Sequence, residues 1–173
     1  MKTPLPPDDD TALSSKSARE LADSGDADAQ FIVGLQCAQA GSEADFVAAA
    51  EWYRKASAQH HGLAQFNLGI MYLRGQGVPR DQKLSLTWMA RAAQGGDAGA
   101  QYELGMRQHR HSLDLTGAEA MELRTEAYKW LRLSAVQGYG DSERGTAAVA
   151  LDMDHAAVKE ATRRADAFVA GPN

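Results

Sequence analysis

The chain has 173 residues and a net charge of −5, and 44 % of its residues are hydrophobic. That length allows one domain with a sizeable core. The charge is spread along the chain without a basic stripe, which excludes nucleic acid as an expected partner. Alanine is abundant and isoleucine occurs only at Ile32 and Ile70. Because alanine favours helices and β-branched residues favour strands, the composition predicts an all-helical protein.

Localisation is predicted from three expected absences. No stretch approaches the roughly 20 apolar residues that cross a bilayer, so we expect no membrane segment. The first ten residues lack the apolar run of a secretory signal peptide. Cys37 is the only cysteine, so neither an intrachain disulfide nor a thiolate metal cluster is expected. Together these observations predict a cytoplasmic protein.

The N-terminal residues differ in composition from the rest of the chain. Residues 1–13 are rich in proline and aspartate, and we predict a disordered tail there. A single domain is predicted over residues 14–170, and the segment 13–24 resembles the second helix of a truncated repeat.

The body of the domain repeats itself. A motif that begins Ala-Gln-aromatic recurs at steps of 35 and 36 residues, over 29–34, 64–69 and 100–105. A tryptophan motif recurs in phase at steps of 36 and 42 residues, around Trp52, Trp88 and Trp130. Self-similarity at this period is typical of stacked helix pairs. We predict three units, at about 25–60, 61–95 and 96–137.

Glycine and aspartate mark the predicted helix boundaries. In the second unit the first helix is predicted to end at Gly75, and the second to begin after an N-cap at Asp81. Gly41 and Asp45 are predicted to have the same roles in the first unit. The extra residues of the third unit are predicted to form a long loop within 108–117.

After the third unit, residues 138–151 resemble a degraded first helix, and 154–170 predict a capping helix. The apolar stripe of that helix is opposite a charged face, as the end of a stack requires. Its members are Met153, Ala157, Ala161, Ala165 and Phe168.

The second unit also carries a likeness to a known family. Residues 64–81 have the sequence AQFNLGIMYLRGQGVPRD, which closely resembles the Sel-1-like repeat, a relative of the tetratricopeptide repeat. The resemblance covers roughly residues 25–140, and departs from the pattern at the turn before Gly41 and at the insertion in the third unit. It implies an all-α, right-handed alpha-alpha superhelix of about three helix pairs. It also implies an adaptor in complex assembly, envelope and polysaccharide biogenesis, or host contact.

On this basis we predict a bacterial, cytoplasmic, non-catalytic scaffold whose partner is another protein or a peptide. No cofactor, metal, membrane or small-molecule substrate is expected. One alternative is a β-lactam-recognising enzyme of the family's cysteine-rich branch, which pairs cysteines in every unit. Cys37 alone departs from that branch, and the chain has no Ser-x-x-Lys or Gly-x-Ser-x-Gly motif. An exported, host-interacting effector is the other alternative.

A helical wheel at 100° per residue indicates which face binds. Ala64 and Leu68 face the core, whereas Leu63, Asn67 and Arg74 lie on the flank away from the second helix of the pair. In an array of helix pairs that flank lines the concave groove. The alternative is that Ile32, Leu35 and Ile70 pack against the next unit. The predicted partner-binding stripe consists of Asp28, Ile32, Leu35, Leu63, Asn67, Ile70, Arg74, Gly99, Glu103, Met106 and Arg110.

Other recurring residues have structural interpretations. The tryptophans are predicted to pack between units rather than to form a ligand ladder. A glycine inside each first helix is predicted to allow close approach of the second, at Gly34, Gly69 and Gly105. His60-His61 and His109-x-His111 have the spacing of metal ligands but lack a third ligand, so they are predicted to be solvated turn residues.

Overall fold

The structure is a computed structural model that describes the backbone of residues 9–170 and the side chains of residues 17–170. The described part is helical throughout and contains no strand, so the predicted all-α fold class is confirmed. The chain forms two compact units, Met1–Ser85 (unit 1) and Leu86–Asn173 (unit 2). Over the described range the helices are α1 (Asp9–Ser24), α2 (Ala27–Ala40), α3 (Glu43–Ala58), α4 (Gly62–Arg74), α5 (Gln82–Gln94), α6 (Ala98–Ser112), α7 (Gly117–Val136), α8 (Ser142–Ala150) and α9 (His155–Ala170).

Side-chain caps explain where several helices begin. Asp26 and Asp97 accept hydrogen bonds from the backbone N–H groups of the third residue of α2 and of α6, each at 2.7 Å. Asp81 accepts two such bonds at the start of α5, as predicted. At α3 the prediction was wrong, because Ser42 is the N-cap. Asp45 lies one turn further on and completes a capping box, in which its carboxylate accepts the Ser42 N–H at 3.1 Å.

In unit 1, α2 and α3 pack closely because a glycine faces a large ring. A Cβ atom at Gly34 would lie 2.8 Å from the ring of Tyr53, so only glycine permits this approach. Burial raises the pKa of Tyr53 to about 12. Trp52 is buried against α1 and α2, where it packs with Ala22 and Val33. The prediction of a close approach at Gly34 is therefore confirmed.

A pair of glutamines links successive helices in each unit. The buried Gln30 side chain donates to the carbonyl of Ala22 at 3.2 Å. Gln59 donates to the Gln30 side-chain oxygen at 3.0 Å and to the carbonyl of Gly25 at 2.9 Å. The same three bonds recur in unit 2, among Gln101, Gln137, Ala93 and Gly96. Because a buried amide without partners is costly, these bonds fix the register of the helices in the first and third repeats.

In unit 2, α7 is the central helix. A Cβ atom at Gly105 of α6 would lie 2.7 Å from the Leu131 side chain of α7, so the close approach predicted there is also confirmed. Leu131 belongs to a buried cluster with Val149 of α8 and Ala161 of α9. The core of this unit therefore joins the third repeat to the two terminal helices.

The terminal helix α9 is held by packing and by charge. Phe168 meets Trp130 edge to face, with ring centroids 5.4 Å apart. Arg164 of α9 forms ion pairs with Glu122 and Glu126 of α7 and with Glu160 on its own helix. These bonds hold the pKa of Arg164 above its ordinary value, and hydrogen bonds from Arg163 and Arg164 lower the pKa of Glu160 to about 2. The predicted capping helix is confirmed over α9.

Two boundaries differ from the prediction. The insertion in the third repeat is not a long loop, because only residues 113–116 lie between α6 and α7. The additional residues lengthen α7 to 20 residues, against 13 in α5. At the N-terminus, α1 begins at Asp9, inside the segment predicted as a tail, and residues 1–8 lie outside the described residues.

Candidate partner-binding surface

The stripe members of unit 1 lie on α2 and α4 and form what we call the α2–α4 surface. Ile32, Leu35 and Leu63 are 43 %, 37 % and 49 % exposed. The helical-wheel prediction of a core-facing side on α4 is confirmed, because Ala64 and Leu68 are fully buried. The remaining members are Asp28 and Arg74, which are exposed, and Asn67 and Ile70, which are partly buried. Aliphatic side chains thus remain at the surface although the core beneath them is filled.

A three-residue contact joins the two helices of this surface. The His61 ring stacks on Phe31 of α2, with centroids 4.8 Å apart. His61 Nε2 lies 3.2 Å from the Asp28 carboxylate, and Nδ1 accepts the Ala64 N–H at 3.2 Å. The imidazole is therefore the N-cap of α4 and holds the start of α4 against α2. His61 is not the solvated turn residue that we predicted.

The stripe members of unit 2 have different surroundings. Gly99 is buried, and Met106 packs against the cluster around Leu131. The Met106 sulfur would be 3.3 Å from a Cβ atom at Gly145 of α8. Arg110 is exposed and Glu103 is partly buried. Two of the four positions are thus occupied by packing within unit 2 and offer little to a partner.

The tryptophans are covered by the protein's own side chains. Trp52 and Trp130 are buried, and Trp88 is partly buried. A cationic group lies 3.8–4.8 Å from the centroid of each ring. The cations are Arg19 and Lys55 at Trp52, Arg91 at Trp88, and Lys129 at Trp130. This arrangement supports the packing interpretation over a ligand ladder.

The other predicted histidine pair lies in a helix. His109 and His111 are in the last turn of α6 rather than in a turn between helices, which corrects the prediction. Among residues 17–170, no group of three or more His, Cys, Asp or Glu side chains is placed to hold a metal ion. No described helix is long and apolar enough to cross a membrane.

Sequence reasoning missed the Asp28–His61 contact and a second surface. A groove of about 780 Å³ lies between α7 and α9 in unit 2, and no charged residue lines it. Val136 and Val169 are exposed at its edges. A signal for the first feature was present, since His61 occupies the repeat position at which the other first helices have Asp26 and Asp97. The groove had no such signal, because it depends on how α9 docks.

A helix pair recurs with a filled core, and the glutamine link of the first repeat occurs again in the third. This recurrence defines a helical-repeat protein. The Sel1 repeat family matches residues 27–61, 62–97 and 98–139, and the chain belongs to that family.

Similar proteins include two from Arabidopsis thaliana, the ERAD-associated E3 ubiquitin-protein ligase components HRD3A and HRD3B. They are 45 % and 43 % identical to this chain over 60 and 58 residues, which is 35 % and 34 % of this chain. Those matches cover 9 % and 10 % of the relatives, so the chain matches about a tenth of their length.

Two solved structures share the fold. The first is c5321, a protective antigen of uropathogenic Escherichia coli strains that displays an SLR fold. It has a TM-score of 0.76 and 26 % identity, over 92 % of this chain and 33 % of that chain. The second is a Sel1 repeat protein from Oxalobacter formigenes, with a TM-score of 0.62 and 30 % identity over 77 % of this chain and 96 % of that chain.

Proposed function

We propose that this chain is a non-catalytic scaffold that binds a partner protein or peptide on the α2–α4 surface. Sel1 repeat proteins generally mediate protein–protein interaction. The observation that supports a site here is the exposure of Ile32, Leu35 and Leu63 on two helices that His61 holds together. Aliphatic anchors with polar neighbours are typical of partner surfaces.

The relatives support the same kind of role. HRD3A and HRD3B are components of a ligase complex, which is consistent with a part that joins other proteins. We place the scaffold in the cytoplasm of a bacterial cell as part of the same proposal, which cell fractionation with an antibody against the chain tests. No specific observation favours the enzyme or the exported effector, so neither is proposed.

The proposal is tested with two matched double variants. Ile32→Ser with Leu63→Ser removes two anchors from the α2–α4 surface. Val47→Ser with Leu84→Ser removes two aliphatic side chains of unit 1 that lie outside it and are 43 % and 41 % exposed. Partner capture is measured by quantitative mass spectrometry, with the melting temperature of each variant as a control for folding.

We expect the first variant to lose the captured partner and the second to retain it, with both melting near the wild-type temperature. Equal capture by the two variants would contradict the proposal. Loss of capture by the Val47 and Leu84 variant alone would move the site to another face of unit 1.

A further inference from the structure

Asp28 brings a negative charge to the α2–α4 surface. Asp28 and Ile32 are four residues apart in α2 and so lie on the same helix face. The Asp28 side chain is 86 % exposed, so most of its carboxylate is available to an incoming group. Asp28 also lies in the first turn of α2, where the helix dipole stabilises an ionised carboxylate.

His61 lies against this carboxylate. Its Nδ1 atom accepts the Ala64 N–H at 3.2 Å, and its other ring nitrogen, Nε2, faces Asp28 at 3.2 Å. The ring is also stacked on Phe31, which fixes its position. The Asp28 carboxylate is thus placed beside aliphatic residues, and its exposed oxygen atoms are open to a cation.

Neighbouring acidic groups have partners of their own. Asp26 accepts the Ala29 N–H as the cap of α2, and Asp23 pairs with Arg19 at 3.5 Å. The equivalent end of the third repeat carries no such charge, because the position that corresponds to Asp28 is the buried Gly99. An oriented, exposed carboxylate at this repeat position is therefore a property of unit 1.

We infer that the α2–α4 surface takes a partner segment in which a Lys or Arg side chain stands close to aliphatic side chains. This inference rests on the proposed function. The aliphatic residues of the partner contact Ile32, Leu35 and Leu63, and its cation pairs with Asp28. Charge complementarity selects the partner and its orientation more than it adds affinity. A second copy of this chain has a net charge of −5 but carries Arg74 on the same surface, so it is the competing occupant that sedimentation tests below.

The test uses a phage-displayed library of random 12-residue peptides selected on the immobilised wild-type chain. We expect enriched peptides to contain Lys or Arg within four residues of Leu, Ile or Val. Synthetic peptides from that set are then measured by fluorescence anisotropy against wild type, Asp28→Asn and the control Glu51→Gln. Glu51 is an exposed acid on α3, away from the α2–α4 surface.

Asp28→Asn is expected to weaken binding about fivefold, the upper range for an exposed ion pair, and Glu51→Gln to leave it unchanged. Replacement of the peptide's Lys by Glu should weaken binding to wild type but not to Asp28→Lys. Ile32→Ser with Leu63→Ser should abolish binding of every selected peptide.

The outcomes separate the two claims. Peptides that need Ile32 and Leu63 but show no preference for a cation, or no response to Asp28→Asn, would overturn the inference and leave the proposed function standing. Selected peptides that bind the Ile32 and Leu63 variant and the Val47 and Leu84 variant as tightly as wild type would overturn both the inference and the proposed function. The absence of any enriched peptide would do the same. Self-association in sedimentation, abolished by the Ile32 and Leu63 variant, would overturn the inference in favour of a second copy.

Discussion

Units 1 and 2 use equivalent repeat positions in different ways. In unit 1 the Phe31 ring stacks on His61, and Asp28 accompanies the pair. In unit 2 the corresponding rings are Tyr102 and Tyr139, tilted with centroids 5.9 Å apart. Both units thus have a contact between two rings at this repeat position, whereas only unit 1 adds a carboxylate, that of Asp28. Because the ring contact occurs without a carboxylate in unit 2, Asp28 is not needed for the fold at this position.

The aliphatic positions show the same contrast. Ile32 and Leu35 of the first repeat correspond to Glu103 and Met106 of the third. Leu35 remains exposed, whereas Met106 packs against the cluster that joins α7, α8 and α9. The position of a residue within the repeat therefore predicts which side of its helix faces the core of the helix pair. Whether the other side is exposed to solvent depends on the helices that follow in the chain.

The largest expected effect is loss of a buried tryptophan from unit 2. Trp130→Ala should lower the free energy of unfolding by about 3–5 kcal/mol, through lost contacts and a cavity beneath Phe168. Trp88→Ala should cost less, because Trp88 is partly exposed. Urea unfolding followed by circular dichroism measures both. Equal losses of unfolding free energy in the two variants would contradict the expectation that the more exposed tryptophan contributes less to stability.

A smaller loss is expected at the glycine between α6 and α7. Gly105→Ala places a Cβ atom 2.7 Å from Leu131 and 3.0 Å from the backbone oxygen of Ala127. We expect a cost of about 1–3 kcal/mol, as for other overpacked cores. Gly95→Ala is the control, since its nearest neighbours would be 3.4 Å away. A stability for Gly105→Ala at or above that of Gly95→Ala would contradict the packing described for unit 2.

The ion pairs of α9 should make unit 2 sensitive to acid. Hydrogen bonds from Arg163 and Arg164 lower the pKa of Glu160 from 4.5 to about 2. A depressed carboxyl pKa contributes stability that is present above about pH 4.5 and is lost as the pH falls towards 2. The melting temperature of wild type should therefore fall over this range more than that of the double variant Arg163→Gln with Arg164→Gln. Parallel pH profiles for the two proteins would exclude a contribution from these pairs.

The structure and the sequence agree where a single periodicity decides the outcome. The burial of Ala64 and Leu68 follows from helical spacing, and the close approach at Gly34 follows from the repeat. The long loop predicted for the third repeat does not form, because residues 118–123, with the sequence AEAMEL, are good helix formers that lengthen α7 instead. The burial of Gly99 depends on tertiary packing, which a helical wheel does not contain.

The smallest expected effect on stability is at the α2–α4 surface, where Ile32→Ser with Leu63→Ser should change the free energy of unfolding by less than about 0.5 kcal/mol per site. Both side chains are exposed, so little packing is lost. Thermal denaturation checks this expectation. A drop of several degrees would show that these residues pack within the fold, which for Ile32 is the alternative interpretation given above.

Photo-cross-linking tests the central claim most directly, because it reports contact and not stability. A photoreactive amino acid is placed at Leu35 on the α2–α4 surface or at Val136, which lines the uncharged groove of unit 2. Each protein is irradiated with the captured partner, and cross-linked peptides are identified by mass spectrometry. The account predicts cross-links to the partner from position 35 and none from position 136. Cross-links from position 136 alone would contradict it.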